Sequence, residues 1–147
     1  MVLEANRAAI ARVRPGNHWN EPHEAAVRVI TQGLIRLGLL KGRLAALIRS
    51  GAYRRFFMRR TGHWLGLDVH DVGSYSVDGK PRPLEAGMVF TIEPGLYIAK
   101  EDESAPEPLR GIGIRIEDDI LVTPAGHENL TVSIPRTVKD VEAACAR

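Results

Sequence analysis

Apolar residues recur at intervals of three and four along the first third of the chain, and this periodicity predicts α-helices. Residues 3–13 carry a modest apolar stripe, and the predicted helix ends near Arg14 because Pro15 follows. A second, more strongly amphipathic helix is predicted from Asn20, whose side chain can cap it, to Gly38. This second helix is expected to face the core.

The pattern then changes from helical periodicity to short alternating runs separated by glycine and proline. A third, shorter helix is predicted over residues 44–48, with Gly51 as its left-handed terminator. The two clearest strands are predicted at residues 88–98 and 112–122. Two loops are predicted beside them, at residues 73–83 and 100–110. Helices followed by antiparallel-looking strands indicate the α+β class.

Alternation along the later strand separates an isoleucine face from a polar face. Ile112, Ile114 and Ile116 point to one side of the strand and are expected to be buried. Arg115 and Glu117 point to the other side, roughly 7 Å apart along the strand. Arg115 is therefore expected to hold a carboxylate or a substrate end in place beside Glu117.

The earlier strand displays Glu93 in a similar way. Glu93 shares a face with Thr91, and Pro94 breaks or bulges the strand immediately afterwards. A lone glutamate on a strand is usually only a solvated carboxylate. The functional interpretation is favoured here because Glu93 and Glu117 both follow otherwise apolar runs.

Two histidines lie in a third segment. Taken alone, His63 and His70 form a weak signal, because a single histidine among apolar residues is more often structural than a metal ligand. Alternation places Asp68 and His70 on one face. Either Asp68 or Asp71 could then accept the second N–H of His70 and orient its ring.

The composition limits the classes of function. The 147 residues are 44% hydrophobic, and a chain of this length can bury roughly 70% of its unfolded surface in one domain. A net charge of +2, from 20 basic and 18 acidic side chains, is too balanced for nucleic-acid binding. No run resembles a membrane span or a signal peptide, so a cytoplasmic location is expected. Cys145, the only cysteine, is expected to be an exposed tail thiol.

His63, Glu93 and Glu117 together form a donor set for a metal. One imidazole and two carboxylates suit Mn²⁺ or Zn²⁺, and two such ions about 4 Å apart can activate a bridging water. A pair of divalent cations needs more anionic ligands than these, and no aspartate occurs before Asp68. The sequence therefore predicts part of a two-metal hydrolase site.

Residues 62–73, 85–98 and 111–123 resemble the C-terminal catalytic domain of Xaa-Pro aminopeptidase, in the pita-bread metallopeptidase group with prolidase and methionine aminopeptidase. The resemblance implies the second half of a pita-bread, creatinase-like fold, with helices packed on a curved, mainly antiparallel sheet. It makes residues 1–147 a single partial catalytic domain. It also implies an enzyme that uses two Mn²⁺ ions, or Zn²⁺ or Co²⁺, to hydrolyse the bond between an N-terminal residue and a proline in the second position.

The resemblance assigns a role to each candidate residue. His63, Glu93 and Glu117 match the family's metal ligands. Glu93 also matches a general base toward the bridging water. His70 matches a histidine that contacts substrate and assists proton transfer, and Arg115 matches a supporting arginine beside the metal ligand.

The sequence also departs from the family pattern. Two upstream aspartate ligands and the N-terminal domain are not found in it, and Arg59 stands where the family usually has a histidine four residues before His63. A permanent cation near a dication lowers metal affinity, so Arg59 either points away or signals a decayed site. The isolated chain is therefore expected to be weakly active or inactive alone, and to self-associate or pair with a missing half.

Two alternatives from other functional classes stay open. The chain could be a catalytically dead pseudoenzyme, or a module that binds Xaa-Pro peptides or a protein partner. It could also be a fragment with no independent role. The two absent aspartates count against activity, whereas the intact surroundings of Glu93 and Glu117 count against long-term loss of function.

Overall fold

The computed structural model describes residues 1–146, in which helices pack beside antiparallel strands. The helices are α1 (Val2–Ile10), α2 (Asn20–Arg36), α3 (Leu44–Ser50) and α4 (Val138–Cys145), with 3-10 turns at Ala52–Arg55 and Glu107–Leu109. The strands are β1 (Ser76–Val77), β2 (Lys80–Pro81), β3 (Val89–Ile92), β4 (Gly95–Tyr97), β5 (Gly113–Arg115), β6 (Asp118–Thr123) and β7 (Gly126–Asn129). The predicted α+β class is confirmed. None of the described helices is both long enough and apolar enough to cross a membrane.

The helices follow the predicted periodicity but differ from it at their ends. α1 ends at Ile10, earlier than predicted, and residues 11–12 form a turn. Asn20 is the first helical residue of α2 rather than its cap, and its side-chain oxygen accepts a hydrogen bond from Arg60 instead. Gly51 ends α3 in the left-handed conformation, with φ of +71°, as predicted.

The core lies where α1 and α2 pack against β3 and β6. Every second residue of the two strands points into it, which is the consequence of period-two alternation. The side chains buried there include Ala5, Ala9, Val27, Ile30, Leu34, Phe90, Ile92, Ile120 and Val122. This packing buries the side of β3 that faces the helices.

The two long strands predicted from sequence form one antiparallel pair with an interruption. β3 pairs with β6 up to Ile92 and Asp118, and β4 pairs with β5 starting from Gly95 and Arg115. Two residues separate these pairs on each strand, so the register continues through the break. Glu93 therefore stands opposite the other acidic candidate, Glu117.

Asn6 of α1 fills the interruption. In this register Ile116 N–H donates to the Pro94 carbonyl at 3.4 Å, but proline has no N–H to return a bond. The buried Asn6 amide donates to the Ile92 carbonyl at 3.1 Å and to the Ile116 carbonyl at 3.5 Å. Asn6 therefore supplies the donor that Pro94 lacks.

Residues 61–65 run along the other edge of β3. Thr91 N–H donates to the His63 carbonyl at 3.0 Å, and Glu93 N–H donates to the Thr61 carbonyl at 2.6 Å. Gly62 permits this approach, since a Cβ there would lie 1.9 Å from the Thr91 carbonyl oxygen. Three neighbouring chain segments thus carry the candidate residues.

The predicted burial of the isoleucine face is wrong. Ile114 is 46% exposed, and Ile112 and Ile116 are only partly buried. The reason is that β5 pairs only with β4 among the described strands, and an open groove separates Ile114 from α4. Alternation predicts which side chains share a face, but burial depends on what packs against that face.

Three elements were not predicted. Residues 73–83, expected to be a loop, contain the β1–β2 hairpin, whose turn residues Asp78 and Gly79 have φ of +50° and +72°. β7 pairs with β6 in a second hairpin. α4 begins after Thr137, whose hydroxyl accepts a hydrogen bond from the Asp140 N–H. Cys145 at the end of α4 is exposed, as expected.

Candidate metal centre

Three predicted ligands converge on one point beside β3. One donor atom from each of His63, Glu93 and Glu117 lies within 4.8 Å of the other two. His63 Nε2 lies 3.1 Å from Glu93 Oε1, and both side chains are more than 80% buried, whereas Glu117 is 44% exposed. The site therefore has two fixed donors and one donor open to solvent.

The His63 ring presents Nε2 to this point. Its Nδ1 atom lies 2.9 Å from the Trp64 carbonyl oxygen, and since a carbonyl only accepts, Nδ1 carries the proton in that bond. Nε2 faces the Glu93 carboxylate, so it can donate a hydrogen bond to Oε1 when it carries a proton, or direct its lone pair at a cation placed between the two side chains. One imidazole and two carboxylates are a donor set that suits a divalent cation.

The two carboxylates also repel each other. Burial raises the pKa of Glu117, and the negative charge of Glu93 adds to this shift while Arg115 opposes it. Arg115 Nε lies 3.7 Å from Glu93 Oε2 and 3.9 Å from Glu117 Oε2, so it bridges both, as its position on the strand predicted. The described residues therefore fit one divalent cation, but they bring too few carboxylates here for two.

His70 lies beside the centre but is not held as expected. Its ring centroid is 4.4 Å from that of His63, and its side chain is exposed. Neither Asp68 nor Asp71 hydrogen-bonds to it within residues 1–146, and Asp71 accepts the Val72 N–H instead. That expectation was wrong because residues 66–70 form bends rather than an alternating strand.

Arg59 lies on the surface. Its side chain is exposed, and it forms no ion pair or hydrogen bond with another residue in the described part of the chain. The centre's positive charge comes instead from Arg115, which contacts both glutamates.

Two further side chains support the ligands and were not singled out from sequence. The buried Thr91 hydroxyl contacts both Glu93 and the His63 backbone. Its position two residues before Glu93, on the same face of the strand, is the sequence feature that could have identified it. His23 Nδ1 lies 2.8 Å from the Thr61 hydroxyl. Burial lowers the pKa of His23 to about 4, with help from Arg60 and Arg54. Nothing in the local sequence marks His23, because it reaches the site from α2.

Comparison with known proteins gives consistent matches. The sequence model of Metallopeptidase family M24 matches residues 1–124. The chain is 51% identical over 142 residues to the Xaa-Pro aminopeptidase of Haemophilus influenzae, covering 97% of this chain and 33% of that protein.

Solved structures agree with this. The Pseudomonas aeruginosa aminopeptidase PepP superposes with a TM-score of 0.95 and 58% identity, covering 97% of this chain and 32% of that one. A Zn-substituted Escherichia coli aminopeptidase P in complex with product superposes with a TM-score of 0.91 and 51% identity, with the same coverage of both chains. These matches confirm the pita-bread resemblance, and the chain spans about a third of the length of the relatives it matches.

Proposed function

The chain belongs to metallopeptidase family M24, and from this we propose that it carries the C-terminal part of an Xaa-Pro aminopeptidase catalytic site, as a single partial catalytic domain. The observation that carries the proposal is the convergence of His63, Glu93 and Glu117 donor atoms within 4.8 Å. The proposed substrates are peptides with proline in the second position, which the names of the relatives support.

In this proposal His63 Nε2 and the carboxylates of Glu93 and Glu117 hold a divalent cation. Mn²⁺ is the proposed metal, with Zn²⁺ or Co²⁺ as replacements, and the donor set of imidazole and carboxylates suits all three. When bound, such a cation supplies a water of lowered pKa and polarises the scissile carbonyl. A complete site with two cations and a bridging water needs further carboxylates from outside the described residues.

The remaining roles follow from the positions of the side chains. Glu93, whose carboxylate is oriented by a hydrogen bond from Thr91, is the proposed acceptor of a proton from the attacking water. Arg115 holds Glu93 and Glu117 side by side without losing its charge. The exposed His70 ring, next to His63, donates a hydrogen bond to the developing oxyanion.

We infer that the isolated chain is weakly active or inactive and acts when paired with a second polypeptide segment or another copy. An apolar groove of about 460 Å³ lies beside Glu117, between β5 and α4, and supports this inference. Ile114, Ile134 and Val138 line it and are exposed. A segment covering this groove would lie close enough to the centre to contribute carboxylates.

The test is the number of metal ions per chain, measured by mass spectrometry after equilibration with Mn²⁺ and removal of excess. About one ion per chain is expected, and about two would indicate that paired copies complete the site. Glu117→Gln should lose the ion. In the absence of metal, the free energy of unfolding of Glu117→Gln should be at least that of the unmodified chain, and up to about 1 kcal/mol higher, because the substitution removes one of two like charges that face each other.

Binding that is absent, or indifferent to Glu117→Gln, would refute the metal site. If metal binds, cleavage of Xaa-Pro peptides is then assayed alone and at concentrations where the chain self-associates. Cleavage that does not increase with association would contradict the pairing inference.

One observation favours a second candidate, a module that binds Xaa-Pro peptides without cleaving them. Arg59 stands where the family usually has a histidine, and the described residues offer only three metal ligands. Peptide binding that survives Glu93→Ala, without hydrolysis by the unmodified chain, would support it. The cytoplasmic location stays a prediction, testable by cell fractionation.

A further inference from the structure

Thr91 occupies the middle of the three segments that form the candidate centre. On one side it pairs with Asp119 of β6, and on the other its N–H bonds to the His63 carbonyl. Its side chain is 2% exposed, and it points to the same face as Glu93 and Glu117. Thr91 therefore lies between the segment that carries His63 and the strand that follows Glu117.

The Thr91 hydroxyl makes two hydrogen bonds, one to the backbone of His63 and one to the carboxylate of Glu93 on its own strand. It lies 3.1 Å from the His63 backbone nitrogen and 3.1 Å from Glu93 Oε1. The backbone N–H can only donate, so the hydroxyl accepts there. Its single proton is then directed at the Glu93 carboxylate, which can only accept when ionised.

This fixed direction constrains the Glu93 side chain. Oε1 is held by Thr91 on the side that faces His63 Nε2, while Oε2 is turned toward Arg115. The Glu93 backbone is fixed separately, through its N–H bond to the Thr61 carbonyl. Without the hydroxyl, the Glu93 backbone would stay in place, but the Glu93 carboxylate and the His63 N–H would each lose a hydrogen-bond partner.

We propose that Thr91 is a positioning residue, whose hydroxyl locks the Glu93 carboxylate and the His63 backbone into the arrangement that binds metal. The inference rests on the proposed metal site. It goes beyond the assigned ligands because Thr91 would itself contact neither metal nor substrate. Groups that orient metal ligands in this way typically change metal affinity 10- to 100-fold when removed.

The competing explanation is that Thr91 is only a well-packed β-branched residue in a buried strand. Valine has the same shape without the hydroxyl, and serine has the hydroxyl without the methyl group. Packing alone predicts that Thr91→Val is harmless and that Thr91→Ser is the worse variant. Positioning predicts the opposite order for metal affinity.

The experiment compares Mn²⁺ and Zn²⁺ affinities of the full chain by isothermal titration calorimetry, together with urea unfolding of the metal-free protein. Thr91→Val should bind 10- to 100-fold more weakly, and Thr91→Ser should stay within about threefold of the unmodified chain. Thr31→Val is the matched control, because it also removes a buried threonine hydroxyl, bonded to the Val27 carbonyl in α2. It should leave metal affinity within about threefold.

Equal affinities for Thr91→Val and the unmodified chain would overturn the proposal, and so would equal losses in the valine and serine variants. If Thr91→Val does not fold, Thr91→Ala replaces it as the hydroxyl-free variant. A crystal structure of the metal-free hydroxyl-free variant gives a second readout, in which Glu93 Oε1 should leave its position 3.1 Å from His63 Nε2. A Glu93 carboxylate that has not moved would overturn the inference about Thr91, whether or not the unmodified chain binds metal. Failure of the unmodified chain to bind metal would by itself refute only the proposed function.

Discussion

Replacing His23 with asparagine should flatten the acid dependence of the chain's stability. The His23 ring projects from α2 and lies 2.8 Å from the Thr61 hydroxyl, and Thr61 in turn accepts the Glu93 N–H through its carbonyl. An asparagine amide can replace Nδ1 in either direction, because its oxygen can accept from the Thr61 hydroxyl and its NH2 group can donate to it. His23→Asn therefore removes the titrating group and keeps the contact.

The magnitude follows from the depressed pKa of His23. Burial, together with Arg60 and Arg54, lowers this pKa from 6.5 to about 4 in the folded chain. Between these two pH values the unfolded chain binds a proton at this residue and the folded chain does not. The stability that the neutral ring contributes is therefore fully present above pH 6.5 and is lost as pH falls toward 4. At about 1.4 kcal/mol per pKa unit, the loss is at most about 3 kcal/mol.

The assay is urea unfolding of the metal-free chain at several pH values between neutrality and pH 4. The unmodified chain should lose up to about 3 kcal/mol more unfolding free energy over this range than His23→Asn. His70→Asn, which replaces an exposed histidine, is the control and should keep the pH dependence of the unmodified chain. Identical pH dependence in the unmodified chain and His23→Asn would refute the reasoning.

Two further substitutions test the backbone around the candidate centre. Asn6→Asp keeps the shape of the side chain but replaces the donor that faces the Ile116 carbonyl with a carboxylate oxygen, which can only accept. The free energy of unfolding at neutral pH should therefore fall by at least about 2 kcal/mol. An unchanged urea midpoint would contradict this role of Asn6. Gly62→Ala places a Cβ 1.9 Å from the Thr91 carbonyl, and should cost about 1–3 kcal/mol and weaken Mn²⁺ binding. Gly113→Ala, whose Cβ would meet only a side chain at 3.3 Å, should be tolerated, and equal losses in the two alanine variants would argue against the close contact at Gly62.

The faces of the two long strands could be predicted from sequence because side-chain alternation is a local property. Glu93, Arg115 and Glu117 come together as expected once the strands pair, since the register keeps all three on one side. The pairing itself was not predictable from alternation. It depends on the resemblance to a known family or on the structure.

Other features depend on contacts between distant parts of the chain. The burial of Ile114 depends on what covers β5, and the bond between His23 and Thr61 joins residues 38 positions apart. The β1–β2 hairpin was missed for a different reason. Asp78 and Gly79 form a recognised turn signal, but the strands beside them have only two residues each and show no apolar alternation.

The position of Glu93 opposite Glu117 gives a physical reason to expect a cation. Like charges placed directly across an antiparallel pair destabilise it, and the raised pKa of Glu117, due to burial and then to the charge of Glu93, has the same origin. Arg115 offsets this only in part, since it is half exposed and lies more than 3.5 Å from both carboxylates. The chain nevertheless fixes the arrangement firmly: Thr91 holds the Glu93 carboxylate and Asn6 bridges the break at Pro94. A fold that stabilises an unfavourable charge pair through separate hydrogen bonds is the arrangement expected where a bound cation offsets the repulsion.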